Sequence, residues 1–259
     1  MNAASKALIK KFCPEIFLRF YWFYRVAQFR LLRFVPPYDE DELITAHKCD
    51  FVNDPHFKAC YDGAVRDGLA ISPTIQWRAH TICWAAARGM QLDGDFVECG
   101  VNRGFLSKIA IDFVGFGAAP DKTFYLMDTY DGLVEEHLTQ AERDMGKKAG
   151  GYEPCHEFVA RYFSPFINVK VIQGAIPGSL DRVTPQKVAF LSIDMNCTAP
   201  EIAALVHFWD RLVPGACVIL DDYGHAGHEE QKTAFDLFAR DRNVPLLALP
   251  TGQGLMIKP

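Results

Sequence analysis

The stretch Asp93-Gly-Asp-Phe-Val-Glu-Cys-Gly-Val-Asn-Arg-Gly104 decides how the rest of the chain is read. An apolar run, Phe96 and Val97, ends at the acidic Glu98. Two glycines, Gly100 and Gly104, then open a helical pattern from Leu106 to Phe116. A strand running into a nucleotide-cradling turn has this order, because glycine lets the backbone approach a ligand and the carboxylate stands at the strand's carboxyl end. The spacing is Glu-x-Gly-x-x-x-Gly, which differs from the Gly-x-Gly-x-x-Gly of dinucleotide binders.

Outward from that turn the chain alternates. Apolar, strand-like runs occupy 95–99, 123–128, 168–173, 187–194, 215–221 and 244–249, with a short last one at 254–258. Helical patterns at 104–116, 155–164, 199–212 and 227–241 separate most of them. This alternation predicts an α/β fold, a mostly parallel sheet covered by helices on both faces. Upstream, Ser72-Pro73 reads as the cap of a helix running through Trp77, His80 and Trp84 to Gly89, and 38–70 reads as short helices with loops. Residues 130–154 break the rhythm with a charged, Gly-bearing insertion after the second strand. At the carboxyl edge of such a sheet an insertion of this kind is either a lid or surface filler.

Four of the strands end in acid: Glu98, Asp128, Asp194 and the pair Asp221-Asp222. In a parallel sheet those ends share one edge, where ligands bind. Asp128 stands at the end of the second strand, where an acid accepts hydrogen bonds from ribose hydroxyls. Asp194, Asp221 and Asp222 come from other strands and can converge. Three carboxylates together call for a cation, most simply a hard divalent ion such as Mg²⁺. The competing reading is that Asp221 or Asp222 caps a helix from Ala226 and only one of them faces the cleft.

The 259 residues are 49% hydrophobic, enough for one large α/β domain or a domain with an appendage. Eight cysteines contain no Cys-x-x-Cys pair, and Cys99 and Cys217 sit inside apolar runs. A reduced, cytoplasmic compartment fits that usage better than a secreted one. A net charge of −5 gives no reason to expect nucleic acid as a partner. Residues 1–37, however, hold seven Lys/Arg against the single acid Glu15, interleaved with nine aromatics. Charges interrupt the segment too often for a transmembrane helix, and no signal-peptide cleavage site follows. Amphipathic helices that cover the domain or a partner subunit are one reading of it. Peripheral contact with an anionic membrane at the inner surface is the other.

With these residues in place, the chain resembles class I S-adenosylmethionine-dependent methyltransferases, and most of all the macrocin O-methyltransferase (TylF-like) family. The motifs that carry the likeness are Gly94 to Gly104, Leu126-Met-Asp-Thr-Tyr-Asp-Gly132, Gln173-Gly-Ala-Ile-Pro-Gly178, Ser192-Ile-Asp-Met-Asn196 and Leu212 to Tyr223. The likeness spans roughly 72–258 and leaves 1–71 as a basic, aromatic helical extension. It implies a Rossmann-like sheet of seven strands, the last antiparallel, with S-adenosylmethionine over the first turn. Glu98 and Gly100 would then lie against the methionine part of the cofactor, and Asn102 and Arg103 would also bind it. Asp128 and Thr129 would hold the ribose, Gly174, Ala175 and Ile176 would border the adenine, and Asp194, Asp221 and Asp222 would bind Mg²⁺. The acceptor would be a hydroxyl of a sugar or glycosylated small molecule.

One position departs from the family. A second aspartate commonly follows two residues after the metal-binding one and is a candidate base; here it is Asn196. His225, beyond the Asp pair, and His137, in the insertion, are the candidate proton acceptors, alongside Asp194 itself at the reacting centre. Two other functions stay open on sequence alone. One is a nicotinamide-dependent sugar oxidoreductase or epimerase, against which the glycine spacing and the lack of a Tyr-x-x-x-Lys pair count. The other is a cofactor-binding module without chemistry. The aromatic N-terminus suits a subunit contact, so at least a homodimer is expected.

Overall fold

Period-two alternation puts Phe96 on one face of the first strand and Val97 and Cys99 on the other, and the two faces meet different helices. The computed structural model describes residues 20–24, 27, 36–70 and 74–259. They fall into two units, Met1–Cys49 and Asp50–Pro259.

In the smaller unit the helical stretch 20–24 exposes all five of its aromatic side chains. An antiparallel hairpin follows, β1 (Tyr38–Glu40) with β2 (Leu43–Thr45). Its two-residue connection, Asp41-Glu42, has positive φ at both positions, as a tight hairpin turn requires. The remainder of the basic segment 1–37, with its membrane and subunit-contact readings, lies outside the described residues.

The larger unit opens with α1 (Pro55–Arg66), capped by Asp54, whose carboxylate accepts from the His56 and Phe57 amides. Phe57, Cys60, Tyr61 and Ala64 of α1 join the core, so residues 50–70 belong to this unit rather than to an N-terminal extension. Next comes α2 (Gln76–Gly89); its expected Ser72-Pro73 cap lies outside the described residues. Then β3 (Asp95–Cys99), α3 (Phe105–Val114), β4 (Phe124–Asp128), α4 (Gln140–Asp144), α5 (His156–Phe163), β5 (Val169–Gln173), β6 (Val188–Ile193), α6 (Thr198–Trp209), β7 (Leu212–Leu220), α7 (Glu229–Asp241), β8 (Leu246–Ala248) and β9 (Gly254–Ile257) follow.

Seven strands form one sheet in the order β5-β4-β3-β6-β7-β9-β8, parallel except for β9, which runs against both neighbours. Phe96, Phe124 and Phe190 face α1, α2, α3 and α5, while Val97, Leu191 and Val218 face α6 and α7. β7 starts three residues earlier than its apolar run because Pro214 and Gly215 sit in a bulge: Val188 pairs with Leu212, but Phe190 pairs with Cys217. Among the described residues no helix is long and apolar enough to cross a membrane.

Register places the site. Met127 pairs with Cys99, Cys99 with Ile193, and Ile193 with Leu220. The next residue on each strand therefore stands in one row along the carboxyl edge: Asp128, Gly100, Asp194, Asp221. Chain order reverses between β3 and β6, the crevice where open α/β sheets bind ligands.

Candidate active site at the carboxyl edge of the sheet

The row opens into a cleft of about 320 Å³, within the roughly 300–1,000 Å³ of small-ligand pockets. Its floor is the turn after β3. Gly100 has φ +90°, and a Cβ there would overlap the carbonyl oxygen of Asp194; at Gly104, φ +85°, it would strike the Phe163 ring. Both glycines thus let the protein close on itself. Gly100 also lines the cleft, so its backbone stands beside the space a ligand would occupy.

Asp128 organises the turn. One carboxylate oxygen accepts from the Val101 and Asn102 amides at 2.6 and 2.7 Å, and the other accepts from the Tyr130 amide at 2.6 Å. Thr129 donates its hydroxyl to Gly132 O at 2.7 Å. Glu98 is buried and accepts from the Ser107 hydroxyl. Burial pushes its carboxyl up to about 8; the Ser107 bond opposes that shift, and the Asp221 and Asp128 charges add to it. Arg103 also lines the cleft, yet its Nε donates to Gly68 O at 3.1 Å and its guanidinium lies over the Phe158 ring.

Beside this turn, Asp194, Asp221 and Asp222 each offer an oxygen within 4.8 Å of the others. Burial first, then Asp221 and Asp222, hold the Asp194 carboxyl well above the usual range. Burial and Asp221 raise Asp222 to about 7. The buried Oδ2 of Asp222 accepts no hydrogen bond, and His228 Nδ1 is 3.5 Å away. Burial, and after it the Lys147 charge, lower the His228 pKa, so this imidazole is a poor counter-charge at neutral pH. A desolvated, all-oxygen cluster with an orphaned carboxylate oxygen fits a hard divalent cation. Helix α7 begins at Glu229, behind His228, so neither Asp221 nor Asp222 caps it.

The insertion 130–154 forms one wall. Leu133 and Gly150 bridge its neck with two backbone bonds. A capping box between Thr139 and Glu142 starts α4. Buried Glu142 also accepts from the Thr198 amide at 2.8 Å and hydroxyl at 2.9 Å, which fastens α4 to the start of α6. Lys147 Nζ donates to Asn196 O at 2.8 Å and to Gln231 Oε1 at 2.9 Å. From this wall Asp131, His137, Tyr152 and Glu153 reach the cleft. Burial and the charges of Asp194 and Asp222 push the Tyr152 phenol up to about 12, so it remains a donor.

Of the residues singled out from sequence, Glu98, Gly100, Asn102, Arg103, Asp128, Thr129, Gly174, Ala175, Ile176, Asp194, Asp222 and His137 line the cleft. Asp221 lies behind it, 1% exposed, and His225 turns its ring against Gly252. Asn196 lines the cleft with φ +59° and donates to Asp194 Oδ1 at 3.2 Å. Sequence reasoning missed Arg78 and Gln253, which donate to the two oxygens of Asp221. It also missed Lys147, Tyr152 and His228. Lys147 and Tyr152 sit in an insertion already conspicuous by its length, but Arg78 and Gln253 carry no local signal.

The chain matches the macrocin-O-methyltransferase (TylF) family over residues 78–247. No curated protein matches it in sequence. Among solved structures it is similar to the O-methyltransferase NovP, with 20% identity, a TM-score of 0.63, and 73% of this chain and 82% of that one covered. It is also similar to the calicheamicin methyltransferase CalS11, with 15% identity, a TM-score of 0.60, and 79% and 93% covered. An apo structure of CalS11, described as a TDP-rhamnose 3'-O-methyltransferase, superposes with a TM-score of 0.55 at 16% identity, covering 80% and 89%.

Proposed function

Because the chain belongs to the macrocin O-methyltransferase family, we propose that it transfers the methyl group of S-adenosylmethionine to a hydroxyl of a sugar or glycosylated small molecule, with a divalent cation, Mg²⁺ first, at its acidic cluster. The observation that carries this reading is a single cleft that runs from the Gly100 turn to Asp194 and Asp222. The sugar acceptor is the inference closest to the similar proteins, CalS11 being described as acting on TDP-rhamnose.

When bound, the cofactor supplies a methyl group already activated on sulfonium, and the metal lowers the pKa of the acceptor hydroxyl. Asp194, Asp221 and Asp222 would hold the ion. Glu98, Gly100 and Asn102 would border the methionine end, Asp128 and Thr129 the ribose, and Gly174 to Ile176 the adenine. The chain's own contribution is largely alignment and exclusion of water, which well-oriented groups convert into rate. The wall of the insertion serves that purpose. Asn196 cannot take up a proton, so the hydroxyl proton passes to His137, which lines the same cleft. His225, packed on Gly252, is the weaker candidate.

Calorimetry on the full chain tests the cofactor assignment directly. S-adenosylmethionine is expected to bind with a dissociation constant that worsens at least tenfold in Asp128→Ala. Binding of NADH in its place would return the protein to the oxidoreductase reading. Methyl transfer to nucleotide sugars, lost in His137→Ala and in Asp194→Ala but kept in His225→Ala, tests the chemistry.

A further inference from the structure

Asp221 is the carboxylate that the cleft does not reach. Its Oδ1 accepts from Gln253 Nε2 at 2.8 Å and its Oδ2 from Arg78 Nη1 at 2.6 Å. The pair is desolvated on both sides, with the Arg78 side chain 18% exposed and that of Asp221 1%. Arg78 nevertheless lines the cleft, from the first turn of α2. A charge-assisted guanidinium–carboxylate bond is among the stronger contacts a protein makes, and removal of water strengthens it. The oxygen that Arg78 occupies belongs to one of three carboxylates clustered within 4.8 Å.

We infer that Arg78 is an internal competitor of the divalent cation: it neutralises Asp221 in advance, and its hold on that carboxylate sets the affinity of the whole acidic cluster for metal. This rests on the reading of the cluster as a metal site. Two effects point the same way. A fixed positive charge beside the cluster repels an incoming dication, and the ion pair removes an oxygen from the set available for coordination. Together, three carboxylates, one guanidinium and one dication sum to zero charge, so a loaded site remains neutral while Arg78 stays nearby. The dication must therefore compete with a resident cation, which favours ions that pull hard on oxygen. A purely structural role for Arg78, holding Asp221 in place for the ion, makes the opposite prediction: its loss would weaken binding.

The test measures Mn²⁺ binding to the full chain by electron paramagnetic resonance of the free ion, with circular dichroism as a check on folding. Arg78→Gln is expected to bind Mn²⁺ at least tenfold more tightly than the unmodified protein. Arg78→Lys, which keeps the charge but loses the planar fork, should fall between the two. Asp222→Asn is expected to remove the tight site. Tight, Asp222-dependent binding that appears only in Arg78→Gln supports the competition as well. Equal or weaker binding by Arg78→Gln, with the unmodified protein binding in an Asp222-dependent way, overturns the competition and leaves the metal site intact. Absence of Asp222-dependent binding from both proteins overturns the competition and the metal site together. Should Arg78→Gln not fold, Arg78→Lys decides: tighter binding supports the inference, and equal or weaker binding overturns it.

Discussion

Gly100 ties two strands together through a side chain it lacks. The position after β3 needs φ +90°, and the carbonyl of Asp194 occupies the space a methyl group would fill. Gly100→Ala is therefore expected to destabilise the protein by at least about 2 kcal/mol from left-handed strain and displaced backbone. Because that displacement falls on Asp194, divalent-ion binding should weaken with it. Denaturant unfolding and Mn²⁺ titration of the same variant check both. Glu98 carries a different signature, since burial raises its folded carboxyl to about 8 from an ordinary 4.5. An acid raised on folding binds its proton more tightly when folded, so its contribution is fully present below pH 4.5 and is lost as pH rises toward 8. Stability of the ligand-free protein should fall across that window by on the order of a few kcal/mol, and Glu98→Gln should flatten the decline. Urea midpoints at pH 5 and pH 8 measure it, and equal slopes in the two proteins would remove Glu98 as the cause.

At the scale of elements, the insertion 130–154 behaves as a built wall. Buried Glu142 accepts bonds from the Thr139 amide and from the amide and hydroxyl of Thr198, all in a partly buried contact. Glu142→Ala strands those donors, and each buried donor left unsatisfied costs roughly 1–3 kcal/mol. The expected outcome is local release, with faster tryptic cleavage at Lys147 and Lys148 while the sheet keeps its melting temperature within a few degrees. Cleavage no faster than in the unmodified protein would show that Leu133, Gly150 and Lys147 hold the wall unaided. His137 rides on this element, so release should also lower methyl-transfer rate more than cofactor affinity.

For the whole molecule, the sheet order decides what can bind. Reversal of chain order between β3 and β6 leaves a crevice that a ligand of the folded state bridges, touching the ends of β3, β4 and β5. Such a ligand stabilises by about 2.7 kcal/mol at a hundredfold excess over its dissociation constant. In a unit of this size that corresponds to a melting shift of about 5–10 °C. S-adenosylhomocysteine is expected to give a concentration-dependent shift of that order, read by differential scanning calorimetry, and NADH none. A flat response to S-adenosylhomocysteine would sever the Gly100 turn from cofactor binding.

Most of the fold was legible because it is written locally. The apolar run ending at Glu98, the alternation that follows and the helical patterns between the runs depend on residues near one another in the chain, and the strands and helices came out within a few residues of those patterns. The acidic strand ends were legible for the same reason, since parallel order alone aligns Asp128, Asp194 and Asp221 on one edge. Where periodicity fails, the reading failed too. The hairpin at 38–45 and the membership of α1 in the larger unit were missed, since three-residue strands hold too little pattern and a helix's partner is not encoded in its own period. The ion pair of Arg78 with Asp221 spans 143 residues, and Gln253 reaches the same carboxylate from the turn before β9. Only the packed sheet brings them together, because the neighbours of a buried charge are set by strand order and register, which no stretch of sequence carries by itself.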